Sequence, residues 1–129
     1  MSTTKAIINL GNFEHNVRYM QSIAKKAEIY PVIKADAYGH GIDEISKFLS
    51  NESIEGVCVA TVSEILEIIR LELNLNILHL GKISLIDKKL FDDKIIFTIN
   101  SIEDIDYIDN ICNKYSKKVR CHIKVDTGM

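Results

Sequence analysis

The feature that most constrains this chain is an alternation repeated along its length: a short β-like run, then a stretch with helical spacing. Ala6–Leu10 (AIINL) reads as a strand. Asn12–Ala27 reads as a helix, because Phe13, Val17, Met20, Ala24 and Ala27 recur at steps of three and four. Ile29–Lys34 (IYPVIK) is the next strand, weakened by Pro31, which has no N–H for a ladder. A loop over Ala35–Gly41 leads to a short helix, Ile42–Leu49. Val57–Ala60 reads as a buried strand, and Thr61-x-x-Glu64 as a capping box opening a helix to about Leu73. Ile77–Leu80 is a strand stopped by Gly81, and Ile95–Ile99 is another. Asn100 or Ser101 then opens a helix with Ile102, Ile105, Ile108, Ile111, Cys112 and Tyr115 on one face. Lys114, Lys117 and Lys118 suit the negative end of its dipole. Val119–Val125 is the last strand.

Strands that alternate with helices specify an α/β fold with a parallel sheet. About six strands are expected, about five of them in a βα series. A (β/α)8 barrel needs eight and about 250 residues, so 129 residues correspond to roughly half a barrel. The chain stops at Asp126-Thr-Gly-Met129, directly after a strand and without the helix that should cover it. No linker interrupts the sequence, so residues 1–129 are expected to form one unit.

Composition narrows the function classes. With 47% apolar and 26% charged residues the chain has ample material for a core, which excludes wholesale disorder. Its net charge of -2 offers no basic stripe for a phosphate backbone, so no nucleic-acid partner is expected. No apolar run approaches the ~18 residues of a membrane span, and the start lacks the apolar core of a signal peptide. A cytoplasmic protein without a membrane partner is expected. Cys58, Cys112 and Cys121 are sparse and form no CxxC pair, which suits buried free thiols; no metal site is expected.

One segment carries chemistry: Val32-Ile-Lys34-Ala-Asp-Ala-Tyr38-Gly-His-Gly41. It sets a lysine at the carboxyl end of a strand, where α/β folds place their active sites. Lysine is the side chain that forms Schiff bases with carbonyl cofactors. Tyr38, in the glycine-bracketed loop, can donate to a phosphate. Against this stands the ordinary fate of a strand-end lysine, which is to be solvated.

The ten-residue string resembles the pyridoxal-phosphate attachment signature of the alanine racemases. The likeness continues through Ile8-Asn-Leu10 with His15-Asn16, Gly56-Val-Cys-Val-Ala-Thr61 with Glu64 and Arg70, and Ile77-Leu-His-Leu-Gly81. A second signature follows in His122-Ile-Lys-Val-Asp-Thr-Gly-Met129. The resemblance implies the first half of a (β/α)8 TIM-type barrel that binds pyridoxal 5'-phosphate. It implies interconversion of L- and D-alanine for peptidoglycan. Lys34 would be the covalent anchor and one of two catalytic bases, and Tyr38 would hydrogen-bond the cofactor phosphate. Lys124 would be a lysine that the family often carbamylates (N6-carboxylysine), and Met129 and Leu80 would be pocket-wall positions. The family works as a homodimer.

The bland readings remain beside these. Lys124 alternates with Val119, Cys121, Ile123 and Val125 and is also a plain surface lysine. His40 and His122 suit structural hydrogen bonds. His79, in an apolar run, suits a satisfied core histidine. The isoleucine faces of Ser63–Leu73 and Ser101–Tyr115 suit the core.

The departure from the family is by omission. The arginine that follows the DTGM string, the later phosphate-binding loops and the C-terminal β domain with its opposite-face tyrosine base are not reached. Residues 1–129 are thus expected to be a partial barrel domain, inactive alone. Other readings are a non-catalytic pyridoxal-phosphate protein of the homeostasis type, an inactive remnant, or a racemase for serine or other amino acids.

Overall fold

The computed structural model describes residues 4–84, 86 and 88–128; Met129 lies outside the described residues. The elements run α1 (Leu10–Ala24), α2 (Lys34–Gly39), α3 (Ile42–Asn51), β1 (Gly56–Val59), α4 (Val62–Ile69), β2 (Asn76–His79), a 3-10 turn at Lys88–Leu90, β3 (Ile95–Ile99), α5 (Ile102–Tyr115) and β4 (Arg120–Ile123). The four strands form one sheet in the order β1-β2-β3-β4, every pair parallel. A right-handed crossover followed by another in the same direction keeps its helices on one face. A doubly wound sheet would reverse at a switch point. The unreversed order is the winding of a (β/α)8 barrel.

Side-chain alternation sorts the sheet's two faces. On the helix side Val57, Val59, Ile77, Ile95, Phe97 and Ile99 pack with Ile45, Leu49, Ile65, Ile68 and Ile108. The opposite face carries the row Cys58, Leu78, Ile96, Arg120, and beyond it Thr98 beside His122. β1 and β3 are buried throughout, whereas every residue of edge strand β4 is exposed.

Local signals explain most boundaries. The Asn9 side chain accepts from the Asn12 N–H at 3.0 Å and starts α1 at Leu10. The expected capping box is present, with Thr61 and Glu64 satisfying each other's backbone. Ser101 caps α5 by accepting from the Asp104 N–H at 3.3 Å.

Several expectations need correction. Ala6–Leu10 is no strand: residues 4–9 are irregular, Ile7 is exposed, and Leu10 already belongs to α1. A strand exists only where a neighbouring backbone takes its hydrogen bonds, and none of the described residues does so there. The Ile29–Lys34 strand shrinks to a bridge between Val32 and Cys58, held by Ile33 N–H to the Cys58 carbonyl and Cys58 N–H to the Pro31 carbonyl. Pro31 accepts there but cannot donate. α1 stops at Ala24 because Lys25 takes a positive φ of 56°, and α4 stops at Ile69, before Glu72 at φ 53°. Ser116, left-handed, ends α5 and leaves Lys117 and Lys118 beyond it. The isoleucine stripe of α5 is only partly core: Ile108 is buried but Ile102 is 74% exposed. The sheet ends at β4, so the part of the stripe directed past that edge has no described partner. No helix among the described residues is long and apolar enough to cross a membrane.

Candidate active site

The residues of the lysine signature do not form an ordinary loop. Ala35, Asp36, Ala37 and Tyr38 all have φ between 51° and 55° with ψ between 37° and 54°, one turn of left-handed helix. Left-handed backbone costs L-residues about 1–2 kcal/mol each, and none of these four is glycine. The surroundings hold the turn in place. The Ala37 N–H donates to the Ile33 carbonyl at 2.9 Å, and the Gly41 N–H to the Asp36 carbonyl at 3.0 Å. Asp36 Oδ1 accepts from the Ile42 N–H at 2.7 Å, fixing the start of α3. His40 Nδ1 lies 2.9 Å from the Ala37 carbonyl, the structural role expected of it. Ala37 is buried while Tyr38 is 60% exposed. Ala35→Gly should therefore stabilise the chain by about 1 kcal/mol, read as a higher urea midpoint, because glycine adopts φ > 0 without penalty. An unchanged or lower midpoint would mean that the turn is not left-handed at Ala35.

Lys34 stands at the carboxyl end of the Val32 bridge, half-buried, its side chain without a hydrogen bond or ion pair among the described residues. The Tyr38 hydroxyl is equally uncommitted there. Beside Tyr38 is a cavity of about 150 Å³ lined by Phe13, Val32, Ile33, Ala37, Tyr38 and Ile45, among others; Lys34 does not line it. Leu80 follows β2 on the face of Leu78, and its N–H donates to the Val59 carbonyl at 2.8 Å. Lys124 follows β4, exposed, its N–H donating to the Ile99 carbonyl at 2.9 Å. It shares the inner face with Arg120 and His122, as the alternation expected. Lys34 and Lys124 stand four strand spacings apart in the sheet order, about 19 Å measured along the sheet. His122 is exposed and its ring makes no hydrogen bond among the described residues, contrary to its expected role.

Glu64 is the site residue that sequence reasoning undervalued. Besides its capping role, its Oε1 accepts from the Ala35 N–H at 2.7 Å, the amide directly after Lys34. Its Oε2 accepts from the Ala60 and Thr61 N–H groups at 2.8 and 3.0 Å. Burial pushes its pKa up, but the N–H groups of Ala35, Ala60 and Thr61 outweigh burial and hold it below the ordinary carboxylate range. The Thr61-x-x-Glu64 pattern announces the cap; nothing local announces a reach of 29 positions.

His79 is a core residue as expected, but its ring is only partly satisfied. It is 1% exposed and meets the Phe97 ring edge-on at 6.1 Å, yet its Nδ1 has no partner among the described residues. Burial lowers its pKa against the opposing pull of the Ala60 carbonyl and the Glu64 carboxylate. The unfolded chain thus binds a proton more readily than the folded one at both His79 and Glu64. Stability should fall as pH drops through the imidazole range near 6.5, and fall again through the carboxylate range. Urea midpoints measured from pH 8 to 4 should show both declines, with His79→Leu flattening the upper one. An upper limb unchanged in that variant would remove His79 from the account. Among the described residues no three His, Cys, Asp or Glu side chains gather as a metal would need.

Comparison with known proteins fits this geometry. The family described as alanine racemase, N-terminal domain, matches residues 8–129. The alanine racemase of Borreliella burgdorferi (strain ZS7) is 32% identical over 132 residues, covering 99% of this chain and 35% of that protein. The solved alanine racemase of Clostridium difficile 630 superposes with a TM-score of 0.83 at 35% identity, covering 95% of this chain and 32% of that one. The alanine racemase of Bartonella henselae, solved with covalently bound pyridoxal phosphate, gives a TM-score of 0.82 at 28% identity, covering 95% and 34%. The chain thus spans about a third of the length of the relatives it matches. An unreversed parallel sheet with a lysine turn at its carboxyl end, matched over nearly every residue, places this chain in the alanine racemase N-terminal domain family.

Proposed function

We propose that this chain is the part of an alanine racemase barrel that holds pyridoxal 5'-phosphate through Lys34. The observation that carries the reading is an uncommitted amine at a strand's carboxyl end, on a turn kept in a costly conformation. The donor set fits the group: Lys34 Nζ is free to bond covalently to an aldehyde, and the neighbouring Tyr38 hydroxyl is free to donate to a phosphate. The Bartonella henselae relative, with its covalently bound cofactor, supports the same reading. When bound, the cofactor supplies an electron sink for the charge left at the substrate Cα. Lys34 anchors it and takes or returns the α-proton on one face. Leu80 walls the substrate side. Lys124, once carboxylated, changes from cation to anion and can hold a neighbouring guanidinium in place.

The substrate proposed is alanine, the product D-alanine for peptidoglycan, and the working unit a cytoplasmic homodimer. Residues 1–129 are read as a partial barrel domain, which alone should give no detectable racemisation. The test is chemical. The chain is incubated with pyridoxal phosphate and reduced with borohydride, and its peptides are mapped by mass spectrometry. The label should fall on Lys34 in preference to the exposed lysines; labelling spread in proportion to exposure would overturn the assignment.

A further inference from the structure

We propose that Glu64 is a positioning residue for Lys34, acting through the Ala35 amide; this rests on the reading of Lys34 given above. A capping box asks the glutamate only to reach back to the N-cap backbone. Here Oε2 does that alone, accepting from Ala60 and Thr61, which leaves Oε1 to grip the Ala35 N–H at 2.7 Å. That N–H belongs to the peptide plane between Lys34 and Ala35. Fixing this plane fixes the backbone angle from which the lysine side chain projects, at the residue where the left-handed turn begins. A hydrogen bond to an ionised acceptor is among the strong ones. A further tie joins α4 to α3: Arg70, the C-cap of α4, meets the Asp43 carboxylate of α3 at 2.6 Å. The turn is therefore held from the α4 side by the Glu64 carboxylate and from the α3 side by the Ile42 N–H, which donates to Asp36 Oδ1.

The test compares Glu64→Gln and Glu64→Asp with Thr61→Ala. The glutamine has one carbonyl for three donors, and the shorter aspartate keeps the charge but cannot span both groups. Thr61→Ala removes the bond from the Glu64 N–H to Thr61 Oγ1, yet leaves both carboxylate oxygens in place. Two readings are taken: amide exchange at Ala35, which needs no cofactor, and the rate of borohydride-trapped labelling at Lys34. Both Glu64 variants should exchange Ala35 about tenfold faster or more, and label Lys34 about tenfold more slowly, while Thr61→Ala matches the parent in both. Ala35 protection unchanged in the Glu64 variants would overturn the proposal. So would Thr61→Ala slowing labelling as much as they do, since the effect would then be general loosening of α4. If the parent chain takes no label at Lys34, the cofactor reading fails, and the exchange measurement still decides the role of Glu64.

Discussion

Lys34→Ala is expected to abolish borohydride-trapped pyridoxal labelling at the signature turn while leaving the fold unchanged. The two halves of that result have separate causes. Labelling depends on a primary amine at one place, and alanine has none. Stability depends on buried contacts, and the Lys34 side chain makes no hydrogen bond or ion pair among the described residues. Its removal should shift the melting temperature no more than an ordinary surface change, within about 0.5 kcal/mol. A variant that loses the label but also unfolds would show that Lys34 is structural. A variant that keeps the label at this turn would move the reactive amine elsewhere. Tyr38, 60% exposed, gives a graded companion: Tyr38→Phe should keep covalent labelling but loosen the phosphate and raise the cofactor concentration needed.

Phe97→Ala should be the most damaging single change to the fold. Phe97 lies mid-strand in β3, paired to His79 on one side and Cys121 on the other, and is 1% exposed. Truncating such a side chain forfeits its transfer energy and leaves a cavity, together about 3–5 kcal/mol. That is a large share of a total stability of about 5–15 kcal/mol. A fall in melting temperature of about 10–20 °C is expected by calorimetry. The edge-on contact with the buried His79 ring is lost as well. Phe97→Leu refills most of the volume and should cost well under half as much. A fall of less than about 3 °C for the alanine variant would contradict the packing described.

What the sequence revealed and what it hid divide along a physical line. Ile95–Ile99 is β3 to the residue, because a β-branched run between turn signals needs no outside information. The Thr61–Glu64 box was legible because both partners lie within one turn. The parallel sheet followed from the alternation of elements. The turn after Lys34 was not legible. Ala-Asp-Ala-Tyr contains no glycine to advertise positive φ, and the bonds that sustain it come from Ile33, Ile42 and Glu64. The first strand failed for the converse reason: AIINL has a strand's composition but no described neighbour to pair with. At the site, the lysine's place at a strand end could be read directly. The span between Lys34 and Lys124 could not, because it is fixed by sheet order rather than by spacing along the chain.

That sheet order also bears on how the molecule is made. Gly56 pairs with Asn76, Ile77 with Ile95 and Ile96 with Arg120, so each ladder closes over about twenty residues. Loop-closure entropy grows only slowly with length, and each closure here is both short and similar in cost. Within β1–β4 no strand waits for a distant partner. On the ribosome, each new strand can dock on the one just completed as soon as its own helix has emerged, and the contact order stays low for a parallel sheet. Assembly can thus proceed in the direction of translation, with β4 as the growing edge.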